Sequence, residues 1–140
     1  MDPTNQNEGL GSYVAGDSSD LSGPLGPTQD EKMMGMMAHV GAAVGVLIGL
    51  PFLAPLLILL LKSKDSAFIR FNAIESLNLQ ITSLIAYVVA VVLSVVTCGV
   101  GALLIPAVTI AVVVLNVMAG LKANEGQLYR YPIPMLRLLK

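Results

Sequence analysis

The sequence contains one cysteine, one histidine and no tryptophan. A lone cysteine excludes an internal disulfide framework, and a lone histidine beside it excludes the Cys/His clusters that hold zinc. Charge is also scarce, with Asp, Glu, Lys and Arg making up 12% of 140 residues, against roughly 25% in an ordinary soluble domain. None lies between Lys32 and Lys62, and none between Glu75 and Lys122. There is no pair of intramembrane acids, no metal-ligand cluster, and only one nucleophile, Cys98, with no credible base. The chain is therefore expected to be no enzyme and to hold no cofactor or metal. No nucleic-acid partner is expected either.

Apolar residues fill the space that charge leaves. They amount to 55% of the chain, with a mean hydropathy of +0.77. A globule of this length still exposes roughly a third of its unfolded surface, so the excess needs a non-aqueous solvent to face. Each uncharged stretch exceeds the roughly 20 residues needed to cross a hydrocarbon core of about 30 Å. The expected fold is all-α, a small polytopic membrane helical bundle, and its first partner is the lipid bilayer.

The two ends differ in sign. Met1 to Glu31 carries Asp2, Glu8, Asp17, Asp20, Asp30 and Glu31 and no basic residue, whereas the remainder carries all 8 basic residues against Asp65, Glu75 and Glu125. Residues 1–28 are rich in Gly, Ser, Pro and Asp, with scattered hydrophobes such as Leu10, Tyr13 and Leu21. They bury too little to offset their ordering entropy and are expected to form a disordered tail. The tail lacks the basic n-region of a secretory signal and is expected to be retained.

Order is expected from Thr28, where Thr28-Gln29-Asp30-Glu31 reads as a capping box with acids in the first turn. The helical domain, 29–140, should comprise segments at about 29–49, 54–62, 67–96 and 102–123, followed by a basic C-terminal tail. Pro51 breaks the first apolar region, Pro55 suits the first turn of a short second helix, and Ser66 caps the third. Lys62, Lys64 and Arg70 precede the long helix and Lys122, Arg130, Arg137 and Lys140 follow the last. The positive-inside rule places both flanks, and the C-terminus, in the cytoplasm, consistent with the cytoplasmic membrane. Met33 to Leu61 leaves two arrangements open. One straight helix would cross once, with strong tilt; a helix-break-helix would turn back, with the N-terminus on the side of the C-terminus. The Pro51 break favours the second, and the absence of basic residues before Lys32 argues for the first.

Two side-chain patterns stand out. Gly41, Gly45 and Gly49 recur at every fourth position, as do Ala86, Ala90 and Ser94 on the long helix. Small residues at that spacing allow close backbone approach in bilayers. The plain reading is packing within one subunit, with the two stripes as a natural internal pair; the other is docking of a membrane-protein partner or a second copy. The second pattern is polar. Asn72, Ser76, Gln80, Ser83 and Tyr87 fall within an arc of about 80° at 100° per residue, with Glu75 at its mouth and Asn78 on another side. Amides in hydrocarbon must find partners, so these residues, with His39 and Asn116, read either as interhelical glue or as a polar vestibule. Tyr129, Arg130 and Tyr131 read as interfacial anchors.

Several stretches together resemble a known family. They are Asp30-Glu31-Lys32 leading to Met37-Ala38-His39, then Pro55-Leu56-Leu57-Ile58 and Ser66-Ala67-Phe68. Glu75-Ser76-Leu77-Asn78-Leu79-Gln80-Ile81 and Lys122-Ala123-Asn124-Glu125-Gly126 before Tyr129-Arg130-Tyr131-Pro132 complete the set. The chain is similar, from Gln29 to Lys140, to a prokaryotic membrane family of unknown function. That family is grouped with the twenty-kilodalton subunit of the chloroplast inner-envelope (Tic) import translocon. The resemblance implies about four helical membrane segments and a role as a subunit or assembly module of a membrane complex. The alternative is an oligomeric pore or carrier for a small solute or ion, built on the Asn72, Ser76, Gln80 and Ser83 stripe.

Overall fold

A computed structural model of the chain describes residues 26–132 and 138–139. The tail expected at 1–28 falls, up to residue 25, outside the described residues, as do Arg137 and Lys140. Four α-helices follow in order: α1 (Gln29–Ile48), α2 (Leu53–Lys62), α3 (Ala67–Val96) and α4 (Leu104–Asn124), the last preceded by a 3-10 turn at Val100–Leu103. The described residues contain no strand. Three helical stretches, Gln29–Ile48, Ala67–Val96 and Val100–Asn124, are long and apolar enough to cross a membrane.

The capping box forms at Thr28. Its hydroxyl accepts from the Glu31 backbone N–H at 3.3 Å, and the Glu31 carboxylate accepts from the Thr28 N–H at 2.6 Å. Gly49 ends α1 in the left-handed region at φ 82°, a conformation that costs a side-chain-bearing residue about 1 kcal/mol or more. Pro51 follows, and the chain doubles back. A Cβ added to Gly41 would come within 2.5 Å of the Ala54 Cβ, and one on Gly45 would collide with the backbone of Leu50 and Pro51. The absence of both side chains is what lets α2 lie against α1. At the far end of α2, Lys62, Asp65 and Ser66 line a shallow cleft together with Asp30 and Glu31. The α2–α3 loop thus returns to the level at which α1 began, which is the turned-back arrangement.

The glycine stripe therefore does not pair with the stripe on α3. Gly41 meets α2, Gly45 meets the reversal, and Gly49 faces open space as a helix stop. On α3, Ala90 is buried while Ala86 and Ser94 are partly exposed. The backbone at Leu93 and Ser94 receives Gly101, where a Cβ would come within 2.5 Å of the Ser94 nitrogen. Equal spacing put small residues on a common face without specifying what covers it.

A different seam of small residues joins α1 to α4. A Cβ on Gly35 would meet Ala123 at 3.3 Å, and one on Gly120 would meet Val40 at 2.9 Å; Ala38, Ala42, Ala119 and Ala123 are fully buried. The third helix is the axis of the bundle. Every residue from Phe71 to Gln80 is buried, whereas beyond Ser83 only Ala90 is. The other helices surround its first half, and its second half pairs with α4 and the 3-10 turn that precedes it. Glu125 and Gly126 end the hairpin beside the start of α1, where Gly126 lies against Pro27 and Lys32. All the loops that carry charge therefore gather at one end of the molecule. The two loops away from that end, Gly49–Phe52 and Thr97–Val100, carry none.

Candidate functional site: a buried polar ladder

The first half of α3 carries most of the polar side chains in the interior. His39, Asn72, Ser76, Gln80 and Asn116 are fully buried, and Glu75, Asn78 and Ser83 nearly so. The rungs tie α3 to α1 and to α4. The Ser76 hydroxyl donates to the Ala38 carbonyl of α1 at 2.8 Å. The Gln80 amide donates to Asn116 Oδ1 of α4 at 3.3 Å, and the Asn116 amide donates onward to the Val112 carbonyl at 2.9 Å. Higher up, the Tyr87 and Thr109 hydroxyls share a bond of 2.9 Å. Ser83 returns its proton to the Gln80 carbonyl at 2.8 Å.

The lowest rung has a defined direction. Asn72 Nδ2 donates to the Phe68 carbonyl at 2.9 Å, which fixes the amide and leaves Oδ1 as an acceptor facing His39 Nε2 at 3.2 Å. An acceptor there requires the proton on Nε2, so Nδ1 carries the lone pair. Tyr131 stands 2.9 Å from Nδ1 and must donate its hydroxyl proton. The line runs Tyr131 O–H to His39 Nδ1, then His39 Nε2–H to Asn72 Oδ1, with the imidazole neutral. His39 is thus a bridge between the C-terminal segment and α3. It stands level with Asn72, about 35 Å along α3 from the turn that bears the exposed Cys98, so the two cannot act as a nucleophile and its base.

Of the three expected interfacial anchors, Tyr131 lies inside the bundle instead: it is 4% exposed, packs against Leu79 and Ala119, and has its hydroxyl on His39. Tyr129 and Arg130 are partly exposed, and the Tyr129 ring meets the Tyr131 ring edge-on with centroids 5.5 Å apart. Burial, reinforced by the Glu75 carboxylate and Tyr129, pushes the Tyr131 phenol well above its ordinary value.

Asn78 faces away from this line, as its position on the helix implies. Its amide grips the backbone of Leu139, donating to the carbonyl and accepting from the N–H, both at 3.0 Å. Leu139 thus covers a second polar side of α3. Sequence reasoning missed this contact and the α1–α4 seam. The seam had a signal in Gly35, Ala38 and Ala42 against Ala119, Gly120 and Ala123; the Leu139 contact, made through backbone, had none.

Fold and ladder together define a polytopic helical membrane protein whose intramembrane polar groups bind its own helices to one another. Residues 30–139 match the magnetosome magnetite crystal formation protein family, and the chain belongs to that family. No curated protein and no solved structure matches the chain. Nothing in these comparisons links it to the Tic translocon subunit, the relationship expected from the sequence.

Proposed function

We propose that this chain is a non-enzymatic module of the magnetosome membrane that takes part in magnetite crystal formation by assembling with itself or with other membrane proteins there. The observation that carries the reading is the family match over nearly the whole helical domain. The ladder supports a structural role for the polar stripe: Ser76 and Gln80 donate to α1 and α4, and Asn72 Oδ1 faces His39 Nε2 of α1, as glue between helices does. The charged end, with the C-terminus, faces the cytoplasm in this reading, following its basic residues. Deleting the protein from a magnetite-forming cell should change the size or shape of its crystals in electron micrographs, and the wild-type chain should restore them. Unaltered crystals would remove the reading.

A second reading, an oligomeric pore or carrier, draws on one atom. Gln80 Oε1 is buried with no hydrogen-bond partner among the described residues, as an acceptor facing a transient solute would be. Purified protein in liposomes should then pass a small solute or ion, and Gln80→Leu should abolish the flux.

A further inference from the structure

The geometry points to a wedge in the bilayer, four helices thick in the leaflet beside the charged end and two in the other. Such a shape fits curved membrane whose convex leaflet holds the charged end.

Depth along the bundle follows from the contacts. His39 lies level with Asn72, and the Ala38 carbonyl lies level with Ser76. Ile48, the last residue of α1, therefore stands beside residues 81–86 of α3, which continues about 15–20 Å further to Val96. From Lys122 to the turn at Val100, the apolar outer helix measures about 30 Å, the thickness of a hydrocarbon core. Gly35 and Gly120 place Lys122 near Met36 of α1, so the α1–α2 hairpin reaches only about 18 Å into that slab.

The tip of that hairpin suits hydrocarbon. Unpaired backbone groups are costly there, yet Leu50 N–H donates to Gly45 O at 2.7 Å, Leu53 N–H donates to Leu50 O at 3.2 Å, and Pro51 has no N–H to satisfy. The tip residues Leu50, Pro51, Phe52 and Leu53 carry no charge. The surface of α3 changes at the same depth: it is enclosed on every side up to Gln80, and Leu84, Val88, Val92 and Val95 above are half-exposed or more. Two helices of about 10 Å diameter are missing from the uncharged leaflet, an imbalance of about 160 Å² per molecule. Bending dilates the convex leaflet relative to the concave one, so a body that occupies more area in the convex leaflet relieves the strain of bending.

The inference does not rest on a role in crystal formation, and its test uses no iron. The exposed Cys98, alone of its kind, takes a fluorophore at the uncharged end. The labelled full-length chain is placed in giant vesicles of zwitterionic lipid, and an impermeant quencher separates the two orientations. A membrane tether is then pulled. Molecules with the charged end outward should be denser on the tether than on the vesicle wall, with a ratio that grows as the tether thins, and those in the other orientation should be depleted. Equal densities in both populations, as would follow if two copies paired through residues 84–111 and filled the narrow end, overturn the inference; so do reversed signs. The depth can be measured separately, because the chain has no tryptophan. Phe52→Trp should be quenched most by lipids brominated deep in the acyl chain. Strongest quenching by bromines near the headgroups would mean that the hairpin spans, and the wedge would be gone.

Discussion

A single imidazole joins two parts of the chain that are 92 positions apart, His39 and Tyr131. Both of its nitrogens are engaged, and their roles are opposite, so loss of either partner leaves a different defect. Tyr131→Phe keeps the ring packed on Leu79 and Ala119 but strips the donor from Nδ1; a cost of about 0.6–2 kcal/mol is expected. Asn72→Leu leaves the Nε2 proton buried without an acceptor and should cost about 1–3 kcal/mol. Because both act through His39, the double variant should lose less than the two added together. Equilibrium unfolding in mixed micelles reads all three, and simple additivity would mean that the bridge does not couple them. The phenol adds a pH dependence. Its folded pKa is raised above the ordinary 10.0, so the unfolded chain releases that proton first and stability falls as pH climbs past that value. The contribution is complete below pH 10.0 and lost at the raised folded value. Tyr131→Phe should remove that alkaline loss, and a wild-type unfolding curve that is flat with pH above the ordinary tyrosine value would contradict the assignment.

Helix ends were legible in the sequence because local chemistry sets them. Thr28 and Ser66 cap with their side chains, Gly49 and the Pro51 that follows it stop α1, and the boundaries of α1 and α2 differ from expectation by one residue each. The last helix starts at Leu104, because Gly99, at φ 100°, leads into a 3-10 turn that hydropathy cannot distinguish from α-helix. The polar arc on α3 was legible from periodicity alone. Pairing was not, and the three glycines of α1 show why: identical in spacing, they serve three surroundings. This difference is measurable. Gly41→Leu drives a side chain into Ala54 and should prise α2 from α1 at a cost of about 1–3 kcal/mol or more. Gly49→Ala meets nothing within 4 Å and should cost only the backbone strain, about 1 kcal/mol. Faster cleavage at Lys62 or Lys64 by trypsin in Gly41→Leu, with Gly49→Ala near wild type, is the expected pattern. Equal sensitivity would mean that the stripe acts as one surface after all.

For the whole molecule, the decisive question left open by the sequence was the direction of residues 33–61. Counting charges could not settle it, because the first helix has acids before it and basic residues after it. The glycines settled it by admitting α2 alongside α1. The consequence is that Thr28, the Lys62–Ser66 loop and the Glu125–Arg130 segment share one side, while Cys98 stands alone on the other. In sealed vesicles sorted by orientation, trypsin added outside should cut at Lys64 and at Arg130 in the same population, and an impermeant maleimide should label Cys98 only in the population that trypsin spares. A single crossing of residues 33–61 would leave those cleavages unchanged but move the chain before Gln29 across the bilayer. An epitope placed ahead of Thr28 therefore completes the test: because residues before Lys32 offer trypsin no site, an external protease of broad specificity should remove the epitope together with the Lys62–Ser66 loop. Protection of the epitope while Lys64 is cut would restore the single crossing and dissolve the packing of Gly41 on Ala54 on which the turned-back hairpin depends.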